Sequence, residues 1–193
     1  MSYGPLLFLG ILFTLATSWV GLVLMPHRQL GAVGQHTDTN TAAIYPAARA
    51  GEAQQGAEHY RSLGCVYCHT QQVRPEGYGQ DKTVMLGTMR TGPDLTNIGE
   101  RQSDAAWHYR HLYNPQITSP GSIMPPHAFL FDVRTIGQAG RSTNALVLEG
   151  PFAPPAGQEV IPTRRAEQLV AYLRSLKSSG DLPEAPVKKE EAQ

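Results

Sequence analysis

The 193-residue sequence predicts an all-α fold: a small helical domain carried behind one N-terminal transmembrane helix, with a small loop/β insertion. Three observations carry this prediction. Residues 4–25 form an unbroken apolar run. Two later segments, 51–64 and 163–177, read as helices, the second with a strong apolar stripe. Between them stands Cys65-Val66-Tyr67-Cys68-His69, which holds both cysteines of the chain.

The apolar run comes first. From Gly4 to Met25 no side chain ionises over 22 residues. About 20 apolar residues suffice to cross a bilayer core of roughly 30 Å. Trp19 lies toward the far end, where interfacial aromatics collect. A cleaved signal peptide would share this pattern, but its basic leader is missing from residues 1–3, so an uncleaved anchor over residues 1–26 is expected. Residues 27–50 mix Gly, Gln, Thr, Asn and Ala without a helical period, end near Pro46, and read as a linker.

Regular structure is expected to resume at Gly51. GEAQQGAEHYRSLG reads as a helix on which Gly56 and Tyr60, four apart, share a face. The last periodic segment runs from Thr163 to Lys177. There Ala166, Leu169, Val170, Leu173 and Leu176 form a buried stripe, with Thr163 as N-cap and Gly180 as the stop. A third helix is expected from Ser103 to about Tyr113, capped by Ser103 and ended by Pro115. Within the insertion at 131–162, ALVLE (145–149) and QEVI (158–161) read as two short strands across a Pro-rich connection. The domain then occupies 51–180, and residues 181–193 form a polar tail.

Composition narrows the function. Lys+Arg 16 balance Asp+Glu 16, and no basic stripe suggests nucleic-acid binding. Gly (19) and Pro (15) are frequent and aromatics sparse at 8%, which fits a loop-rich domain whose core is completed by a prosthetic group.

C-x-x-C-H is the attachment signature of covalent haem c. Two thiols one helical turn apart can each add to a haem vinyl group, and the adjacent His69 then lies under the iron as proximal ligand. A zinc site would need further ligands, and no second C-x-x-C exists. A redox dithiol lacks its βαβ context, and chance spacing remains the third competitor. Arg74, Arg90 and Arg101 are candidates for pairing with haem propionates, because Arg makes forked contacts to carboxylates. Each could equally be a solvated charge. His108 and His111, at i and i+3, share a helix face that could hold a metal, or could stand at the surface or beside a propionate.

With these parts placed, the chain resembles class I cytochrome c domains: helix, C-x-x-C-H, loop, helix, Met loop and final helix occur in that order. CVYCHTQQVRP (65–75), RTGPDLTNIGERQSDAAWHYRHLYNP (90–115) and SIMPPHAFL (122–130) carry a closer resemblance. It is to the membrane-anchored mono-haem subunit of cbb3-type cytochrome c oxidases, subunit II. The resemblance covers the anchor and residues 55–130. The chain departs from it in a shorter stretch between Pro75 and Thr91 and in the insertion at 131–162.

The resemblance implies Met124 as the sixth ligand, since Ser-Ile-Met-Pro-Pro is similar to the Met loops of these cytochromes. A Met/His pair raises the reduction potential relative to bis-His ligation. Rivals for the position are Met85, Met89, His108, His111 and His127; Met85 and Met89 also suit packing at a haem edge. Thr91-Gly92-Pro93-Asp94-Leu95 resembles the loop whose Pro carbonyl accepts a hydrogen bond from the proximal His, so Pro93 joins the site.

The function implied is electron relay from a cytochrome c donor, or a second cytochrome c subunit, to the haem–copper catalytic subunit of aerobic respiration. The chain would carry one covalent haem c and perform no bond chemistry of its own, within a proton-translocating oxidase. Arg28 after the span mildly opposes export by the positive-inside rule. Covalent haem is attached outside the cytoplasmic membrane, however, which places residues 27–193 in the periplasm of a bacterium. Three other functions compete: the small subunit of a nitric oxide reductase, a haem enzyme or gas sensor with a displaceable distal ligand, and an anchored shuttle without a fixed partner.

Overall fold

The computed structural model describes residues 3–30, 36–37, 44–45, 48–73 and 84–177. The chain divides into two compact units.

The first unit contains the N-terminal helix. α1 (Gly4–Trp19) passes through a π-helical turn, Val20–Leu24, into α2 (Met25–Leu30). Pro26 explains the π turn. Its ring would crowd the carbonyl four residues back and it has no N–H to offer, so the preceding turn widens. The Met25 amide accordingly donates to Val20 O. The Thr14 and Thr17 hydroxyls turn back onto the Gly10 and Phe13 carbonyls, each at 2.9 Å, and are thereby satisfied within the helix. Gly4–Gln29 is long and apolar enough to cross a membrane, about 39 Å at ~1.5 Å per residue, and fits a single-pass anchor. The helix runs past residue 27, where a linker is expected to start. Further on, β1 (His36–Thr37) pairs antiparallel with β2 (Ile44–Tyr45).

The second unit is built on two crossed helices. α3 (Gly51–Ser62) packs on α7 (Arg164–Ser175), with Ala53, Gly56 and Tyr60 of α3 buried. Contact is close because Gly56 has no side chain. A Cβ there would stand 2.6 Å from Tyr172 Cβ and 2.7 Å from the Gln168 carbonyl carbon. Tyr60 and Tyr172 meet with ring centroids 5.4 Å apart. All five residues of the expected α7 stripe are buried, and Thr163 Oγ1 caps the helix by accepting from Ala166 N. The expected stop at Gly180 and the tail 181–193 lie outside the described residues.

α4 (Cys65–Cys68) follows α3 through Gly64, whose φ of 79° is left-handed and lets the chain turn sharply into the motif. α5 (Ile98–Arg101) leans on the end of α7, where Gly99 N donates to Leu176 O at 2.8 Å. α6 (Ala105–Tyr113) starts one residue later than a Ser103 cap allows. Its cap is Asp104, whose carboxylate accepts from Ala106 N (2.9 Å) and Trp107 N (3.1 Å). The Ser103 carbonyl is instead engaged by Arg174 Nε.

The insertion also differs from expectation. β3 (Phe131–Thr135) pairs antiparallel with β4 (Gln158–Pro162), in register from Phe131↔Pro162 to Thr135↔Gln158. Residues 145–149 form no strand; their tie to β4 is one backbone bond, Leu146 N to Val160 O. They still pack as an extended segment, with Leu146 and Leu148 buried in the same core as Val160, Leu169 and Leu173. Burial thus alternates along 145–149 without a strand ladder.

Candidate functional site

His69 is the centre of the site, and the fold holds it from three sides. Its amide donates to Cys65 O at 2.8 Å, continuing the α4 turn. Its carbonyl accepts from the Tyr60 hydroxyl of α3. Its ring Nδ1 lies 3.0 Å from Pro93 O. A carbonyl only accepts, so Nδ1 carries the proton and Nε2 keeps its lone pair free. Gly92 makes room for the ring: a Cβ there would stand 2.6 Å from Nδ1 and 2.9 Å from Nε2.

The loop bearing Pro93 is laced to the motif strand by strand-like bonds. Gly92 N donates to Cys68 O and Leu95 N to Thr70 O, both at 3.0 Å. Asp94, which the sequence motifs contain but did not single out, is the hub. Its Oδ2 accepts from Gln72 N (2.8 Å) and Val73 N (2.9 Å), and its Oδ1 accepts from Thr96 N (2.8 Å) and Thr96 Oγ1 (2.7 Å). The signal was present as Asp-x-Thr, an Asx-turn pattern in which the carboxylate binds the backbone two residues on. Behind the motif, the buried Gln71 side chain meets the Tyr172 hydroxyl at 2.8 Å, tying it to α7.

Cys65 and Cys68 are both free thiols, half-buried on one turn. Burial pushes the Cys65 thiol up to about 11. A redox dithiol needs a depressed thiol, so this environment disfavours that competitor. Among the described residues no three His, Cys, Asp or Glu side chains gather as a metal group.

The remaining candidates separate by their partners. Met124 is half-buried against the core, its amide held by Ser122 Oγ at 3.2 Å. Met85 is a core residue and Met89 is exposed beside Tyr67, whose carbonyl accepts from Met89 N. His108 is buried and donates through Nε2 to Gln102 O at 2.8 Å. His111 stacks on Trp107 and bonds Thr118 Oγ1 at 2.6 Å. Burial first, then the nearby His69, His108 and His127, push His111 down to about 4. His127 is tied to α6 by its amide, which donates to Leu112 O at 2.8 Å. This bond ties the loop following Met124 to the helix bearing His111. Arg90 is exposed and donates to Gln72 Oε1 at 2.7 Å. Arg101 is committed to Asn97 Oδ1 and Asp94 O, a structural role. Arg74 lies outside the described residues.

These residues fit a haem. The imidazole Nδ1 is fixed by a carbonyl, two thiols stand on the preceding turn, and Gly92 lies so close to the ring that a side chain there would clash with it. Exposed apolar side chains, Tyr67, Leu86 and Met89, flank the motif and offer a surface for a flat apolar group to cover.

No curated protein matches the chain. A family model described as cytochrome c oxidase, mono-haem subunit/FixO, matches residues 7–153, more than half of the chain. That name implies one haem and a catalytic subunit as partner, and the N-terminal apolar helix fits a membrane anchor. The chain belongs to the FixO family of mono-haem cytochrome c oxidase subunits.

Proposed function

We propose that this chain is the membrane-anchored electron-transfer subunit of a cbb3-type oxidase. It relays electrons from a cytochrome c donor, or a second cytochrome c subunit, to the haem–copper catalytic subunit. The observation that carries this is the family match over residues 7–153, and it is supported by His69, whose Nδ1 is held by Pro93 O directly after the turn bearing both cysteines. A bound haem c supplies a one-electron Fe(III)/Fe(II) couple. His69 Nε2 would hold the iron, and the Pro93 carbonyl, accepting from Nδ1, fixes the ring and raises the basicity of Nε2. The Cys65 and Cys68 thiols would hold the haem covalently through its two vinyl groups. Met124 Sδ would supply a further ligand, on a loop stiffened by Pro125 and Pro126. Arg90, and Arg74 in the sequence, pair with propionates. The domain, a class I cytochrome c, faces the periplasm from the cytoplasmic membrane of a bacterium. The anchor confines it beside its partner.

The test is purification of the intact assembly from native membranes, followed by haem spectra and oxygen uptake. Co-purification of haem c with haem b, copper and oxygen reduction is expected. Haem b with non-haem iron and nitric oxide reduction would overturn the oxidase assignment, and haem c alone would overturn the fixed-partner assignment.

A further inference from the structure

The His69 imidazole is oriented by Pro93, yet nothing in Pro93 itself holds its carbonyl in place. Pro has no N–H to anchor it, and the residue is exposed. What fixes it is the next residue. The Asp94 carboxylate takes four hydrogen bonds, two from the backbone just after His69 (Gln72 N and Val73 N) and two from Thr96. Its carbonyl takes a fifth, from the half-buried Arg101 guanidinium, which Asn97 Oδ1 holds in turn. One side chain thus staples the segment leaving His69 to the segment carrying the carbonyl that His69 binds. Hydrogen bonds from backbone amides to a carboxylate are charge-assisted and short, and a multiply bonded carboxylate has no free rotamer.

We propose that Asp94 is the positioning residue for the His69 imidazole, acting through the Pro93 carbonyl and so setting the iron's electronic environment. This rests on the assignment of His69 as iron ligand. The Pro93 bond gives the imidazole partial anionic character, which favours Fe(III) and holds the reduction potential down. Loosening the staple weakens that bond and lets the ring turn.

The experiment compares Asp94→Asn and Thr96→Val with the unaltered subunit in the intact membrane complex. Two readouts are taken: the haem c midpoint potential by redox titration, and the low-spin ferric electron paramagnetic resonance g-values, which report imidazole orientation. Asp94→Asn puts an amide NH2 where one carboxylate oxygen accepted. It is expected to raise the potential and shift the g-values. Thr96→Val removes the hydroxyl donor and keeps the charge; it is expected to move both readouts the same way by less. If Asp94→Asn raises the potential with unchanged g-values, a lost negative charge explains everything and the proposal is overturned. Should Asp94→Asn carry no haem, Thr96→Val decides alone, and unchanged readouts there overturn it. His69→Ala separates the two layers. If that variant keeps the unaltered g-values, His69 is not the ligand and the underlying assignment fails, whatever Asp94 does.

Discussion

Two carboxylates organise two regions that have little regular structure, and they do so for different ends. Asp94 gathers the loop around His69, accepting from backbone amides on both sides of it. Glu159, on β4, gathers the insertion at 131–162. It accepts from Ser142 N (2.7 Å), Ser142 Oγ (2.6 Å) and Arg134 Nε (3.0 Å), and is only 1% exposed. Ser142 donating through both its groups, more than the Arg134 charge, pulls the Glu159 carboxyl down to about 2. The hydrogen bonds of Asp94 tie the segment after His69 to the loop whose Pro93 carbonyl binds the His69 ring. Those of Glu159 end on a serine and an arginine that touch no part of the site. The same device therefore serves function in one region and cohesion in the other.

The largest break is emptying the site. Cys65→Ala with Cys68→Ala should abolish haem staining on a denaturing gel, since no other cysteine exists. Next is the scaffold both regions share. Gly56→Ala drives a methyl into α7 and should destabilise the folded domain by about 3 kcal/mol, read as a lower thermal unfolding midpoint. Glu159→Gln should lower stability at neutral pH while the haem spectrum stays unchanged. Its sign with pH follows from the lowered carboxyl. The stabilisation is complete above the ordinary value of 4.5 and is lost as pH falls toward about 2, so the gap between variant and unaltered domain should close across that window. The smallest pair tests the cap of α6: Asp104→Ala should cost about 1 kcal/mol in denaturant unfolding, and Ser103→Ala close to nothing.

What could be read from the sequence divides along the same line. The α3–α7 pair was legible because Gly56, Tyr60 and the α7 stripe follow helical spacing, and burial obeys that spacing. Cys65, Cys68 and His69 stand together in the sequence as one motif, and the fold sets the two cysteines on one turn with His69 directly after it. The α6 cap was misplaced by one residue because Ser103 and Asp104 are adjacent and both can cap; the longer reach of the carboxylate to two amides decides it. The strand partner of β4 was misassigned because pairing is a long-range choice. Phe131–Thr135, which alternates apolar and polar residues, wins it over the more continuously apolar 145–149, and Phe131 also packs edge-on against Tyr109 and Tyr113 of α6. The role of Asp94 was hidden because a hub is defined by its partners, which stand 21 and 22 residues away on one side.

The relay itself is tested most directly by rapid mixing of the oxidised intact complex with a reduced cytochrome c donor, following haem c and haem b at their own wavelengths. The account predicts that haem c is reduced first and that haem b follows from it. Haem b reduced ahead of haem c, or at full rate while haem c stays oxidised, would contradict it.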